Sequence, residues 1–104
     1  MYIKNYINGR LTEPISKRYL DNFNPSDGKV YSYIPDSDER DVELAYQASS
    51  LAFESWSITP KEQRSKFLLK IATLIEQNLE KLALAESIDN GKPLKLAKTG
   101  DIPR

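Results

Sequence analysis

The sequence predicts an α+β fold, with short N-terminal β-strands or a hairpin followed by three or four helices. Two observations carry that prediction. Up to Pro35 the residues run in short β-type segments separated by turn formers, and after it the apolar residues recur at helical spacing. There is no internal repeat and no low-complexity tract. A strand region over residues 1–35 and a helical region over 36–104 are therefore expected.

In the first region, residues 2–7 alternate between two faces, with Ile3, Asn5 and Ile7 on one and Tyr2, Lys4 and Tyr6 on the other. Asn8-Gly9 follows, a strong hairpin signal because both positions of the turn need positive φ. Pro14 ends the return strand or marks it as an edge. A β-type stretch from Tyr19 to Phe23 leads into the turn Asn24-Pro25-Ser26-Asp27-Gly28, and alternation resumes from Lys29 to Ile34.

The first helix is expected after Pro35, capped by Asp36 with Glu39 reaching back three residues on. Its apolar face would carry Val42, Ala45, Ser49, Ala52, Phe53 and Trp56, and small residues at 45, 48, 49 and 52 keep that face shallow. The second helix is expected to use Thr59 as cap, Pro60 as first residue and Glu62 to complete the box. Phe67, Leu68, Ile71, Leu74, Ile75, Leu79 and Leu82 form its stripe, which extends to Ile88 before the stop at Gly91 and Pro93. Read as one helix, its charges oppose the macrodipole. A break near Gln77-Asn78 brings Lys66 and Lys70 toward a C-terminus and Glu80 toward an N-terminus, each worth about 0.3–1 kcal/mol. A last helix is expected from Pro93, taking in Leu94, Leu96 and Ala97, with no end signal before Arg104.

Composition narrows the chemistry. The 104 residues include no Cys and no His, and 15 basic side chains balance 15 acidic ones. Ala, Val, Ile, Leu, Met, Phe, Trp and Gly make up 39 of the 104 residues, below the roughly 45–50% of soluble domains, so the core is thin. Without Cys there is no disulfide, thiolate metal site or thiol nucleophile, and without His the commonest general base is missing. Residues 1–40 hold six basic and six acidic side chains and the remainder nine of each, so neither part has the excess that nucleic-acid binding needs. No apolar run approaches the ~20 residues of a membrane span, and no signal-peptide stretch opens the chain, so a cytoplasmic location is expected.

The remaining candidates read as structural. Glu39 with Glu43 and Glu76 with Glu80 have the spacing of solvated helix pairs. Asn90-Gly91-Lys92-Pro93 lacks phosphate-loop spacing and reads as a helix stop followed by a helix start. Phe53 and Trp56 read as core packing at a helix end. No catalytic, cofactor-binding or metal residue is assigned.

Longer motifs carry a family signal. Tyr6-Ile7-Asn8-Gly9 comes first, then Asn24-Pro25 through Gly28 with Val30. Asp41-Val42 through Ala45 follows, then Ala52-Phe53 and Trp56. The run from Arg64 to Ala72 continues into Leu74-Ile75-Glu76, and residues 86–93, Glu-Ser-Ile-Asp-Asn-Gly-Lys-Pro, are the most specific. In this order and spacing, over essentially all 104 residues, the chain resembles the N-terminal segment of the aldehyde dehydrogenase superfamily, NAD(P)-dependent enzymes that oxidise aldehydes to acids. Residues 31–37 and the ending Asp101-Ile102-Pro103-Arg104 look most like its muconic-semialdehyde and betaine-aldehyde-like branches.

The resemblance implies a partial domain of that fold, about the first fifth of a family chain. The Cys nucleophile, the Glu that activates water, the oxyanion Asn, the ribose-binding residues and the Gly-rich cofactor turn all belong to the family's downstream part. None transfers to a position here, so the segment alone, natural or excised, is expected to be inactive and to hold neither NAD nor NADP. Some family members bind a structural monovalent cation, at positions that correspond here to Asn22, Phe23 and Asp89. The expected partner is the rest of an aldehyde dehydrogenase chain, or a second copy through exposed helix faces, and not nucleic acid or membrane. A different class of reading is a self-sufficient interaction module using the apolar faces of residues 42–56 and 67–82.

Overall fold

The computed structural model describes residues 1–103. Four strands precede the helices: β1 (Asn5–Ile7), β2 (Arg10–Thr12), β3 (Tyr19–Asn24) and β4 (Lys29–Pro35). Then come α1 (Glu39–Ser57), α2 (Lys61–Gln77), α3 (Leu79–Asn90) and a short α4 (Leu94–Leu96), which runs into a π-helical turn, Ala97–Asp101. The α+β order expected from the sequence is the order observed. The chain divides into two compact units. One comprises Met1–Asn22 with Val30–Thr59; the other comprises Phe23–Lys29 with Pro60–Arg104. Arg104, the last residue of the Asp101-Ile102-Pro103-Arg104 motif, lies outside the described residues.

In the first unit, β1 and β2 pair antiparallel with Asn5 opposite Thr12 and Ile7 opposite Arg10. The turn between them places Asn8 at φ 49° and Gly9 at φ 74°, the geometry that Asn-Gly favours. The strand is shorter than the alternation over residues 2–7 suggests. The Ile3 N–H donates to the Tyr33 carbonyl at 2.8 Å and the Tyr33 N–H to the Met1 carbonyl at 2.9 Å, so the leading residues bridge to β4 instead. The Tyr2 ring stacks on Tyr33 (centroids 4.7 Å apart) and meets Tyr19 edge-on (4.8 Å), which favours that bridge.

Helix α1 starts two residues later than expected. Asp36 belongs to the strand end: its N–H donates to the Arg18 carbonyl, its carbonyl accepts from Ser16 Oγ, and its carboxylate lies 3.3 Å from the Arg18 guanidinium. The cap is Asp38, with extended backbone, and Asp41 rather than Glu39 completes the reciprocal box. The Asp38 carboxylate accepts from the Arg40 N–H at 3.0 Å and from the Arg40 guanidinium at 2.7 Å. The Arg40 side chain, chiefly through that hydrogen bond, holds the Asp38 carboxyl below its ordinary value. Asp41 is 3% exposed, and its two oxygens take the Ile15 N–H at 3.0 Å and the Asp38 N–H at 3.1 Å. One buried carboxylate thus fixes the loop after β2 to the first turn of α1.

In the second unit, Pro60 is the cap of α2, and no side chain caps it. Thr59 does not serve, because its hydroxyl donates back to the Ser55 carbonyl at 2.8 Å and closes α1. The break after Gln77 is present. Asn78 ends α2 and precedes α3; its carboxamide donates to the Leu74 carbonyl at 2.8 Å, and its backbone leaves the helical range at φ −110°, ψ 16°. The dipole argument accounts for only one side of that break. No basic residue stands in the last turn of α2, Lys66 and Lys70 being too far upstream, whereas Glu80 does stand in the first turn of α3.

Helix α3 ends at Gly91 with φ 75°. A Cβ there would lie 2.9 Å from Pro25 Cγ, so the position demands glycine for conformation and for space. Ala83 of α3 and Ala97 at the start of the π-helical turn are fully buried, and α3 packs against α4 and that turn through them. Lys92–Asp101 and Lys98–Glu80 ion pairs flank this contact.

Candidate functional site

The carboxylate pairs stay on the surface. Glu39 and Glu43 are exposed on α1, and Glu43 accepts from the Gln47 carboxamide at 2.8 Å. Glu76 and Glu80 fall on different helices, because Asn78 interrupts the run between them, and Glu80 is paired with Lys98. Neither pair is buried against a group that could tune one carboxyl as an acid and the other as a base.

The Asn90–Pro93 stretch is the helix stop and restart that its composition suggests. Gly91 donates its N–H to the Ser87 carbonyl, Asn90 accepts from the Lys92 N–H at 2.8 Å, and Ser87 Oγ donates to the Lys92 carbonyl at 2.6 Å. Lys92 Nζ is engaged by Asp101, so the one cation beside the glycine already has its anion.

The core reading of Phe53 and Trp56 is corrected. Phe53 is 64% and Trp56 42% exposed. That end of α1 is therefore open to solvent rather than packed in a core.

Of the cation-site candidates, Asn22 lies in the first unit, where its carboxamide donates to the Tyr31 hydroxyl and to the fully buried Ser32 Oγ, each at 3.1 Å. Phe23 and Asp89 lie in the second, Phe23 being 53% exposed. Among the described residues no group of three or more His, Cys, Asp or Glu side chains converges in the manner of a metal site.

Two features escaped sequence reading. One is the Asp41 hub, whose only signal is its three-residue spacing from Asp38. The other is a shallow groove of about 370 Å³ between the β1–β2 turn (Tyr6, Ile7, Asn8, Gly9) and the small-residue face of α1 (Ala45, Ala48, Ser49, Ala52). The shallow face was legible in the sequence; that the hairpin lies over it was not.

Much apolar surface is exposed on α2. Phe67, Leu68, Leu69, Ile71 and Leu74 of α2 are all about half exposed or more, and no residue of that helix is buried. The accessible surface is 8324 Å² for 11.9 kDa. Two separate compact bodies of half that mass would expose only about 7,200 Å² together. The excess exceeds the roughly 800 Å² that one partner contributes to a standard protein interface.

Among the described residues no helix is long and apolar enough to cross a membrane. The family model for the aldehyde dehydrogenase family matches residues 11–104. The 2-aminomuconic semialdehyde dehydrogenase of Bos taurus is 44% identical over 104 residues, 100% of this chain and 21% of that one. An aldehyde dehydrogenase of Vibrio cholerae is 46% identical over 99 residues, covering 95% and 20%. The crystal structure of PnpE from Pseudomonas sp. WBC-3 superposes with a TM-score of 0.95 at 34% identity, covering 99% of this chain and 21% of that one. PnpE has also been solved with nicotinamide adenine dinucleotide bound. The chain thus spans about a fifth of the length of the relatives it matches. Its hairpin, its broken helix pair and its Gly91 stop are those of the N-terminal part of such an enzyme, and the chain belongs to the aldehyde dehydrogenase family.

Proposed function

We propose that the chain serves as the N-terminal part of a cytoplasmic, NAD(P)-dependent aldehyde dehydrogenase, and that its own contribution is a packing surface rather than a catalytic group. The observation that carries this reading is the uncovered face of α2 together with the surface excess. These apolar positions match a family whose members are about five times longer, which supplies the chain needed to cover them. Covering the apolar part of that excess would stabilise the assembly by about 25 cal/mol per Å² before ordering costs.

The residues present do not fit a nicotinamide cofactor. Its pyrophosphate needs a glycine-rich turn opening a helix. Here Gly91 closes a helix and its open side is filled by Pro25, while Gly28 sits in a strand-to-strand turn. Nor is there a thiol to attack an aldehyde carbonyl and form the covalent intermediate. Binding of NAD or NADP and the thiolate chemistry therefore belong to the remainder of the family chain. The relatives named for 2-aminomuconic semialdehyde favour a muconic-type semialdehyde as the substrate of the whole enzyme.

The test is direct. The purified 104-residue chain should give no aldehyde-dependent reduction of NAD or NADP, should bind an apolar dye and should melt broadly. Mixed with the complementary four-fifths of a close relative, it should restore oxidation of that relative's substrate. Turnover by the chain alone would overturn the proposal. A monodisperse, sharply melting chain that complements nothing would favour the self-sufficient interaction module instead.

A further inference from the structure

Two Asn-Gly dipeptides stand in the chain, Asn8-Gly9 and Asn90-Gly91, and in both the glycine has nearly the same positive φ, 74° and 75°. Their surroundings are opposite. At the end of α3 the Asn90 carboxamide is held at both ends: Nδ2 donates to Glu86 Oε1 at 2.5 Å and Oδ1 accepts from the Lys92 N–H at 2.8 Å. The Gly91 N–H is itself donated to the Ser87 carbonyl at 3.0 Å. At the β1–β2 turn, Asn8 and Gly9 are both exposed. Among the described residues the Asn8 carboxamide has no hydrogen-bond partner and no carbonyl takes the Gly9 N–H.

We propose that Asn8 is a site of spontaneous deamidation and that the fold spares Asn90. The Gly9 nitrogen, giving its proton to solvent base, attacks Cγ of Asn8. The Cγ–Nδ2 bond breaks, ammonia leaves, and a five-membered succinimide remains. Water then adds to either imide carbonyl, and opening gives aspartate or isoaspartate at position 8. The step oxidises and reduces nothing and consumes one water.

Glycine matters because no Cβ hinders the nitrogen. The turn conformation of Asn8 has to loosen for Cγ to reach it, and the hairpin permits this: it is two three-residue strands, a size of marginal stability. The same closure at position 90 must first release the Gly91 N–H and both ends of the carboxamide. Each such bond is worth a few-fold to about tenfold in population, so the Asn90 site should react at least about tenfold more slowly.

The product changes the first unit in two ways. Either product puts a new negative charge at the mouth of the groove between the hairpin and α1, where Asn8 lines the wall. Isoaspartate also inserts a backbone carbon into a two-residue turn, which cannot then keep Ile7 opposite Arg10.

The proposal is independent of any enzymatic role and is tested on the 104-residue chain. The chain is aged in mildly alkaline buffer, with and without denaturant, then digested with trypsin. Peptides 5–10 and 82–95, the latter intact because Lys92 precedes Pro93, are followed for amide-to-acid conversion and isoaspartate. In native buffer, conversion at position 8 should outpace position 90 by at least about tenfold, and denaturant should bring the two rates within about threefold of each other. Asn8→Gln should abolish conversion in peptide 5–10, and hydrogen exchange should find the Gly91 amide more protected than the Gly9 amide. Equal native rates, faster conversion at position 90, or a native hairpin that does not react at all would each overturn the proposal.

Discussion

Asp41 in the first unit and Ala83 in the second are both buried, yet they hold their units together by opposite means. Asp41 works through directed bonds: a carboxylate out of solvent that accepts the Ile15 and Asp38 N–H groups and so ties a loop to a helix start. Ala83 works by being small: with Ala97 it lets α3 and the π-helical turn approach closely, while Gly91 admits Pro25 at the helix end. Both units also leave long helix faces uncovered, and there they agree. Each unit has its buried contacts at a few positions, while the large apolar side chains of α1 and α2 stay exposed.

Asp41→Ala removes a charged acceptor and strands two N–H donors, and should cost the first unit about 3 kcal/mol, read as a lower urea midpoint. Asp41→Asn, which keeps one acceptor, should cost less. A loss under 1 kcal/mol for Asp41→Ala would mean that the loop and α1 are held by something else.

Gly91→Ala comes next. The left-handed backbone alone costs about 1–2 kcal/mol, and the Pro25 contact adds to it. Gly28→Ala has a similar φ of 69° and nothing within 4 Å, so the difference between the two variants isolates that contact. Equal losses would remove Pro25 from the account.

Asp38→Ala should lower the stability of the first unit by a smaller amount, as a lost cap. Because the Asp38 carboxyl is held below its ordinary value of 3.8, chiefly by the Arg40 side chain, its contribution is fully present above that value. It is lost as pH falls through the lower, folded-state value. Wild type and Asp38→Ala should therefore converge in stability under strong acid and differ most near neutrality. The smallest effect is expected on the uncovered stripe. Phe67→Ser and Ile71→Ser should change the stability of the 104-residue chain, read from urea unfolding, by no more than about 0.5 kcal/mol. The same variants should lower dye binding and weaken complementation by the rest of the family chain. A large loss of stability in the chain itself would show that the stripe already packs within it.

Much of the local structure could be read in the residues themselves. Asn8-Gly9 gave the hairpin, Asn24–Gly28 the second turn, Gln77-Asn78 the helix break and Gly91 with Pro93 the stop, because each depends on backbone preferences within four residues. Distant groups override other local signals. Asp36 satisfies every local rule for a cap, but Arg18 and Ser16, some twenty residues earlier in the chain, claim it for the strand end. Thr59 is as good a cap by composition, and the preceding helix takes its hydroxyl. Phe53 and Trp56 have the spacing of a buried face, and spacing does not say what lies opposite.

The sequence by itself therefore determined the element order, the turns and the family, because these follow from side-chain and backbone chemistry at short range. It also excluded thiolate and imidazole chemistry through the missing Cys and His. Only the tertiary structure decided which of several suitable aspartates caps α1, which Asn-Gly is tethered, and which apolar faces remain open to solvent. Those outcomes depend on groups far apart in the chain competing for the same hydrogen bond or the same surface, and a one-dimensional pattern does not record who wins.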